Sequence, residues 1–173
     1  MKRTITLSAL LGLATVLSAQ NKEHMGYGAA MMQEASKLVG QERSDDALVE
    51  LATVHRSDSL YERVLMQRVQ IHLDQDAYGT VEELCRRGIA ERGNLNGAFT
   101  MIRAAVLVDM ERFADALAAC DSAIAVYPGS FRPYHLRALA LAGIKDKKAA
   151  LEQAMKNARR FPYQRDAHIM MGT

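Results

Sequence analysis

Tryptophan does not occur in the 173 residues, phenylalanine occurs four times and proline three times. Isoleucine and threonine are sparse as well, while Ala, Leu, Met, Arg, Glu and Gln abound, a balance that favours helix over strand. Only two cysteines are present, Cys85 and Cys120. The five histidines (His24, His55, His72, His135 and His168) are scattered, and none forms a His-Glu-x-x-His pair or a zinc-type Cys/His spacing. No glycine-rich loop is laid out to cradle phosphate. These gaps imply no catalytic residue, no metal site and no cofactor, and they point away from an enzyme.

The first nineteen residues form a segment of their own. Lys2 and Arg3 give a positive start, Ile5 to Leu17 is apolar or small without a charge, and Ser18-Ala19 precede the polar run from Gln20. This is the layout of a secretory signal peptide cut after Ala19. The alternative is an uncleaved anchor, for which the apolar run falls short of the ~20 residues a span needs. No cysteine follows the run to carry a lipid. The chain is therefore expected in the periplasm or outside the cell. Without residues 1–19 it carries 20 basic and 20 acidic groups, a balance that gives no reason to expect nucleic acid. The charge is divided unevenly: residues 20–96 hold 9 basic and 13 acidic groups, residues 97–173 hold 11 and 7. Such a split could orient a partner or favour head-to-tail contact between copies.

Two prolines thirty-four residues apart, Pro128 and Pro162, end two copies of one pattern. Arg103/Arg137, Ala104/Ala138, Leu107/Leu141, Ala116/Ala150, Leu117/Leu151 and Tyr127/Phe161 match without a gap. Self-similarity at this period is the signature of stacked helix pairs. These residues resemble the tetratricopeptide repeat, a 34-residue helix–turn–helix. The resemblance implies an all-α, right-handed solenoid in which small residues at positions 8, 20 and 27 allow close helix contact. Large residues at 4, 7, 11 and 24 fill the gaps. Counted from Gly97 and Phe131, the copies depart from that pattern at Thr100 (position 4), at Arg103 and Arg137 (position 7) and at Asn157 (position 27).

The predicted organisation is a signal at 1–19, a linker at 20–27 and repeats at 28–61, 62–96, 97–130 and 131–164, with the start of a fifth at 165–173. The first repeat places Met31, Ala35, Leu38, Ala47 and Leu51 at packing positions, and Ser44-Asp45-Asp46 is expected to cap its second helix. The second has a second helix starting near Tyr78 and holding Val81, Cys85 and Gly88. Its register is ambiguous: Leu73 lies 34 residues before Leu107, whereas Cys85 lies 35 before Cys120. A turn one residue shorter near Gln75 with a linker one longer at 92–97 would reconcile them. Arg92-Gly93-Asn94 reads as a helix stop, and the glycines, at repeat boundaries, are expected to serve turns. The fifth unit stops inside its first helix with Ile169, Met170 and Met171 in the last turn. It reads as a poor cap, a fragment, or a surface for a partner. The two cysteines are expected as buried free thiols, because equivalent points on adjacent repeats lie about 10 Å apart, beyond disulfide reach.

What the resemblance implies for function is a binding surface along the first helices. Its inward positions are Met32, Ser36 and Val39 in the first repeat, and Met66 in the second. Met101, Ala105, Val108 and Asp109 follow in the third, and Arg132, His135 and Leu139 in the fourth. This is a small-residue, methionine-lined face with few charges, suited to an apolar peptide segment or an assembly subunit. It lacks the Lys and Asn with which co-chaperones of the family hold a C-terminal carboxylate. The expected partner is a protein or peptide, and the alternative is self-association through the C-terminal end. Arg86-Arg87 and Arg159-Arg160 are expected near the ends of second helices, where the dipole suits them. Lys145, Lys147 and Lys148 oppose the dipole at a helix start and have no evident role.

Overall fold

The computed structural model describes residues 26–165, so the signal segment and nearly all of the fifth unit lie outside the described residues. Eight helices follow one another there, with no strand among them: α1 (26–39), α2 (Ser44–Ala52), α3 (Tyr61–Asp74), α4 (Tyr78–Glu91), α5 (Asn96–Asp109), α6 (Phe113–Val126), α7 (Phe131–Gly143) and α8 (Lys147–Arg160). The chain divides into two compact units, one ending at Ile71 and one starting at His72.

In the first unit, Ala35 and Ala47 are fully buried and let α1 and α2 approach. Leu38, Leu51, Val54, Val64 and Ile71 fill the space around them. Asp58, only 7% exposed, accepts hydrogen bonds from the amides of Gly28 (3.0 Å) and Leu60 (2.8 Å) and so ties α1 to the start of α3. A Cβ at Gly28 would stand 2.7 Å from that carboxylate, so only glycine fits. In the second unit, Ala104, Leu107, Ala116, Ala119, Cys120, Leu136 and Ala140 form a continuous core. The alanines bring α5, α6 and α7 together, and leucines occupy the volume they leave. Cys85 and Cys120 are free and buried, and burial pushes both thiols up to about 12.

The first helix of every pair ends alike. Glu42, Asp76, Glu111 and Lys145 adopt left-handed conformations, with φ between 54° and 64°. The next amide reaches back to the last turn: Arg43 to Leu38 (2.9 Å), Ala77 to His72 (2.9 Å), Arg112 to Leu107 (2.9 Å) and Asp146 to Leu141 (3.2 Å). This is the Schellman closure, here with no glycine at its left-handed position. Gly40 and Gly129 lie in turns as expected, but none of the described glycines has positive φ, and others serve packing. Gly88 instead admits the Phe99 ring, which would stand 2.5 Å from an added Cβ, while Gly97 admits Tyr127 and Gly143 admits Phe113. The stop after α4 is real, but Arg92, at φ 55°, supplies its left-handed residue rather than Gly93.

The turns 75–77, 110–112 and 144–146 are equal in length, so the shorter turn near Gln75 does not occur. The extra residue falls within 92–97, as expected, but at the start of α5: the linkers 92–95 and 127–130 are equal, while α5 has 14 residues and α7 has 13. Val64, Leu65, Val69 and Ile71 are buried 35 residues before Phe99, Thr100, Ala104 and Val106, which are buried too. That register puts Arg68 beside Arg103 and Arg137 as a third arginine at position 7. Before the prolines, Tyr127 and Phe161 share one conformation (φ −125° and −126°, ψ 66° and 63°), outside the α region as a following proline requires.

Three local expectations change. Ser44, Asp45 and Asp46 lie inside the first turn of α2; Arg43 holds the cap position, and its side chain pairs with Asp46 at 2.7 Å. Arg86-Arg87 sit within α4 rather than at its end, with Arg86 paired to Glu83. The lysines at the start of α8 are offset by Asp146, whose carboxylate accepts from the Ala149 amide at 3.0 Å.

Candidate binding surfaces

The residues expected to face a partner fall into two groups, one per unit. In the first unit, Met32 and Val39 are half-buried against the core, and Ser36 is exposed. Gln67 on α3 donates to the Met32 carbonyl (3.2 Å) and to Ser36 Oγ (3.0 Å), which fastens α1 to α3 beside the half-buried Met66. In the second unit, α5 packs on α7. Met101, Ala105 and Val108 follow one another at i, i+4 and i+7 on α5, and all three lean on the core. Asp109 and Arg132 are exposed, and the His135 ring packs against Phe131 at a tilt of 41°, with ring centroids 5.4 Å apart. Leu139 is 37% exposed. The methionines thus serve the core with part of their surface, and among the residues expected to face a partner Leu139 is the large apolar side chain classed as exposed.

A second surface comes from the positions that break the repeat pattern. α6, α7 and α8 enclose an open cleft of about 660 Å³, lined by Asp121, Ile124, Tyr134, Arg137, Gln153, Lys156, Asn157, Arg159 and Arg160. Arg137 stands at its centre. Its Nε donates to Asp121 (2.8 Å) and its Nη1 to Gln153 (2.8 Å). Gln153 in turn donates to Asn157 (2.8 Å), and Asn157 donates to the Tyr134 carbonyl (3.0 Å). Asn157 is 1% exposed, a buried polar group whose amide nitrogen and oxygen each have a neighbour as partner. Arg160 lies over the Tyr134 ring, 4.9 Å from its centroid, and donates to the Pro128 carbonyl at 2.8 Å. The same position 7 in the third repeat looks different: Arg103 donates to Glu82 at 2.8 Å, and the pair is largely covered.

The sequence pattern singled out Arg137 and Asn157 as departures without assigning them a place. The signal for the cleft was there: a cation and an amide at positions that packing reserves for apolar or small side chains. Among the described residues, no group of three or more His, Cys, Asp or Glu is placed to hold a metal ion, and no helix is long and apolar enough to cross a membrane.

No protein-family model matches the chain, and no curated protein does. Solved structures do. MamA from Desulfovibrio magneticus RS-1 is 18% identical, with 84% of this chain and 82% of that one covered and a TM-score of 0.71. A tetratricopeptide repeat protein from Parabacteroides merdae is 13% identical over 84% of this chain and 57% of that one, with a TM-score of 0.71. The first tetratricopeptide domain of human RPAP3 is 18% identical over 65% and 88%, with a TM-score of 0.57. At these identities the likeness establishes the fold, an all-α solenoid of helix–turn–helix repeats.

Proposed function

From the premise that this chain has the tetratricopeptide-repeat fold, we propose that it is a non-enzymatic protein-interaction module of the cell envelope. It takes a peptide segment or an assembly subunit on the first-helix face of its third and fourth repeats. The observation that carries this reading is the pairing of α5 with α7, which sets half-exposed Met101, Ala105 and Val108 beside exposed Leu139. Apolar side chains at helical spacing on adjacent helices suit an apolar segment of another protein. The envelope part rests on the sequence of residues 1–19 and predicts a mature N-terminus at Gln20 in a fractionated cell.

A photo-crosslinking amino acid placed at Leu139 tests the surface directly. A crosslinked protein of defined mass from the envelope fraction is expected there, and none from the same probe at Val126 on α6. Leu139→Glu should lower recovery at a neighbouring probe at Ala105 at least tenfold. Equal crosslinking from both faces would remove the groove from the account.

One observation favours a second reading, self-association through α8. Leu151 and Met155 are 50% and 40% exposed, although the position of Leu151 is filled on α6 by Leu117, half-buried against the core. Sedimentation of the mature chain across a hundredfold concentration range separates the readings. A monomer throughout eliminates self-association, and a mass that falls to monomer with Leu151→Lys/Met155→Lys establishes it.

A further inference from the structure

The cleft among α6, α7 and α8 lies apart from the proposed first-helix surface and has a chemistry of its own. Four of its nine lining side chains are cationic and one is anionic. Two of the cations are already engaged: Arg137 with Asp121 and Gln153, and Arg160 with the Pro128 carbonyl and the Tyr134 ring. Lys156 and Arg159 have no carboxylate partner among the described residues. Both are exposed, on the helix that also supplies Gln153 and Asn157. The remaining N–H groups of the Arg137 guanidinium are left over from its two hydrogen bonds. The cleft therefore combines fixed cationic donors with free ones around a wall formed by Ile124 and Tyr134.

We infer that this cleft is a second binding site, and that its ligand is an extended acidic peptide segment. Two features select a peptide over a phosphate or a nucleic acid. The free cations are strung along α8 one turn apart, which suits separate carboxylates rather than one compact anion. The Asp121 carboxylate stays 61% exposed at the cleft wall, where it repels a uniformly charged polyanion but accepts a hydrogen bond from a peptide amide. The volume of about 660 Å³ lies within the range of small-ligand pockets, about 300–1,000 Å³, and holds a few residues of chain.

The test is fluorescence anisotropy with the mature chain and a fluorescein-labelled, end-capped octapeptide alternating Glu and Ala, against the same peptide with Gln for Glu. At 50 mM salt the Glu peptide is expected to saturate below 1 mM and to bind at least tenfold more tightly than the Gln peptide. Lys156→Gln/Arg159→Gln should weaken it at least tenfold with an unchanged helical circular dichroism spectrum, since neither side chain supports the fold. Leu139→Glu should leave it unchanged, which keeps this site distinguishable from the first-helix surface. The proposal is overturned if the Glu peptide does not bind by 1 mM, if the Gln peptide binds equally, or if the double variant binds as well as the parent. Tighter binding of an oligothymidylate of eight nucleotides than of the Glu peptide would overturn it too, by showing a general polyanion surface.

Discussion

At positions 4, 7 and 27 the third repeat carries Thr100, Arg103 and Ala123, and the fourth carries Tyr134, Arg137 and Asn157. In the third, all three are absorbed by packing. Thr100 is 6% exposed and returns its hydroxyl to the Asn96 carbonyl at 2.9 Å, Ala123 is fully buried, and Arg103 is paired to a Glu82 carboxylate that is only 13% exposed. In the fourth, Asn157 is buried too, but the carboxylate that pairs with the arginine is open, at 61% exposure. Tyr134 becomes a ring platform, Asn157 holds its backbone, and Arg137 leans on a carboxylate that water already reaches. The repeat frame fixes where a side chain stands; the residue placed there decides whether the position closes a core or opens a cleft.

The largest expected difference between the two repeats lies at position 7. Arg103→Met leaves the Glu82 carboxylate covered and unpaired, and should cost about 2–3 kcal/mol in urea unfolding. Arg137→Met leaves Asp121 solvated, and should cost under about 1 kcal/mol. Equal losses would mean that the arginines do the same work. At position 27, Asn157→Ala removes the partner of Gln153 and of the Tyr134 carbonyl, and should cost about 1–2 kcal/mol. The reverse exchange, Ala123→Asn, forces an amide into a filled core and should cost at least as much. A neutral Ala123→Asn would show that the third repeat has room for the same network.

The smallest effect at neutral pH comes from the thiols, Cys85 in the second repeat and Cys120 in the third, buried at the point where the fourth carries Ala154. Cys85 and Cys120 ionise near pH 9 in the unfolded chain and at about 12 in the folded one. Above pH 9 the unfolded state therefore releases protons that the folded state keeps, and stability falls as pH rises from 9 toward 12. Below pH 9 the thiols add no slope. Urea midpoints at pH 7.5 and pH 10.5 should differ by less in Cys85→Ala/Cys120→Ala than in the parent. In the folded parent both thiols should resist alkylation at pH 8 and react once urea unfolds the chain.

Much of the frame was legible in the sequence, because Ala104, Leu107, Ala116 and their counterparts recur in step and packing alone demands them. The turn chemistry was not. Glycine is the usual signal for a left-handed cap, yet Glu42, Asp76, Glu111 and Lys145 take that conformation, because the hydrogen bonds that close each helix pair hold them there. The register of the second repeat stayed open in the sequence, since Leu73 mimics the spacing of Leu107; the structure matches His72 to Leu107 instead, in step with the repeat bounds 62–96. Arg137 and Asn157 stood out as departures from the pattern, but their meeting in a cleft was not legible, for a different reason. Asp121, Arg137 and Gln153 stand 16 residues apart in succession and meet only once three helices are packed.

The left-handed turn residues recur at intervals of 34, 35 and 34, each inside the same closing hydrogen bonds. Each such turn is a natural splice junction. A gene cut at codons 76, 111 and 145 would yield cassettes that begin and end in one backbone conformation. Exchanging the cassette 111–145, which carries Asp121 and Arg137, for the cassette 76–111, which carries Glu82 and Arg103, would then replace the exposed arginine–carboxylate pair by the covered one while every helix end keeps its partner.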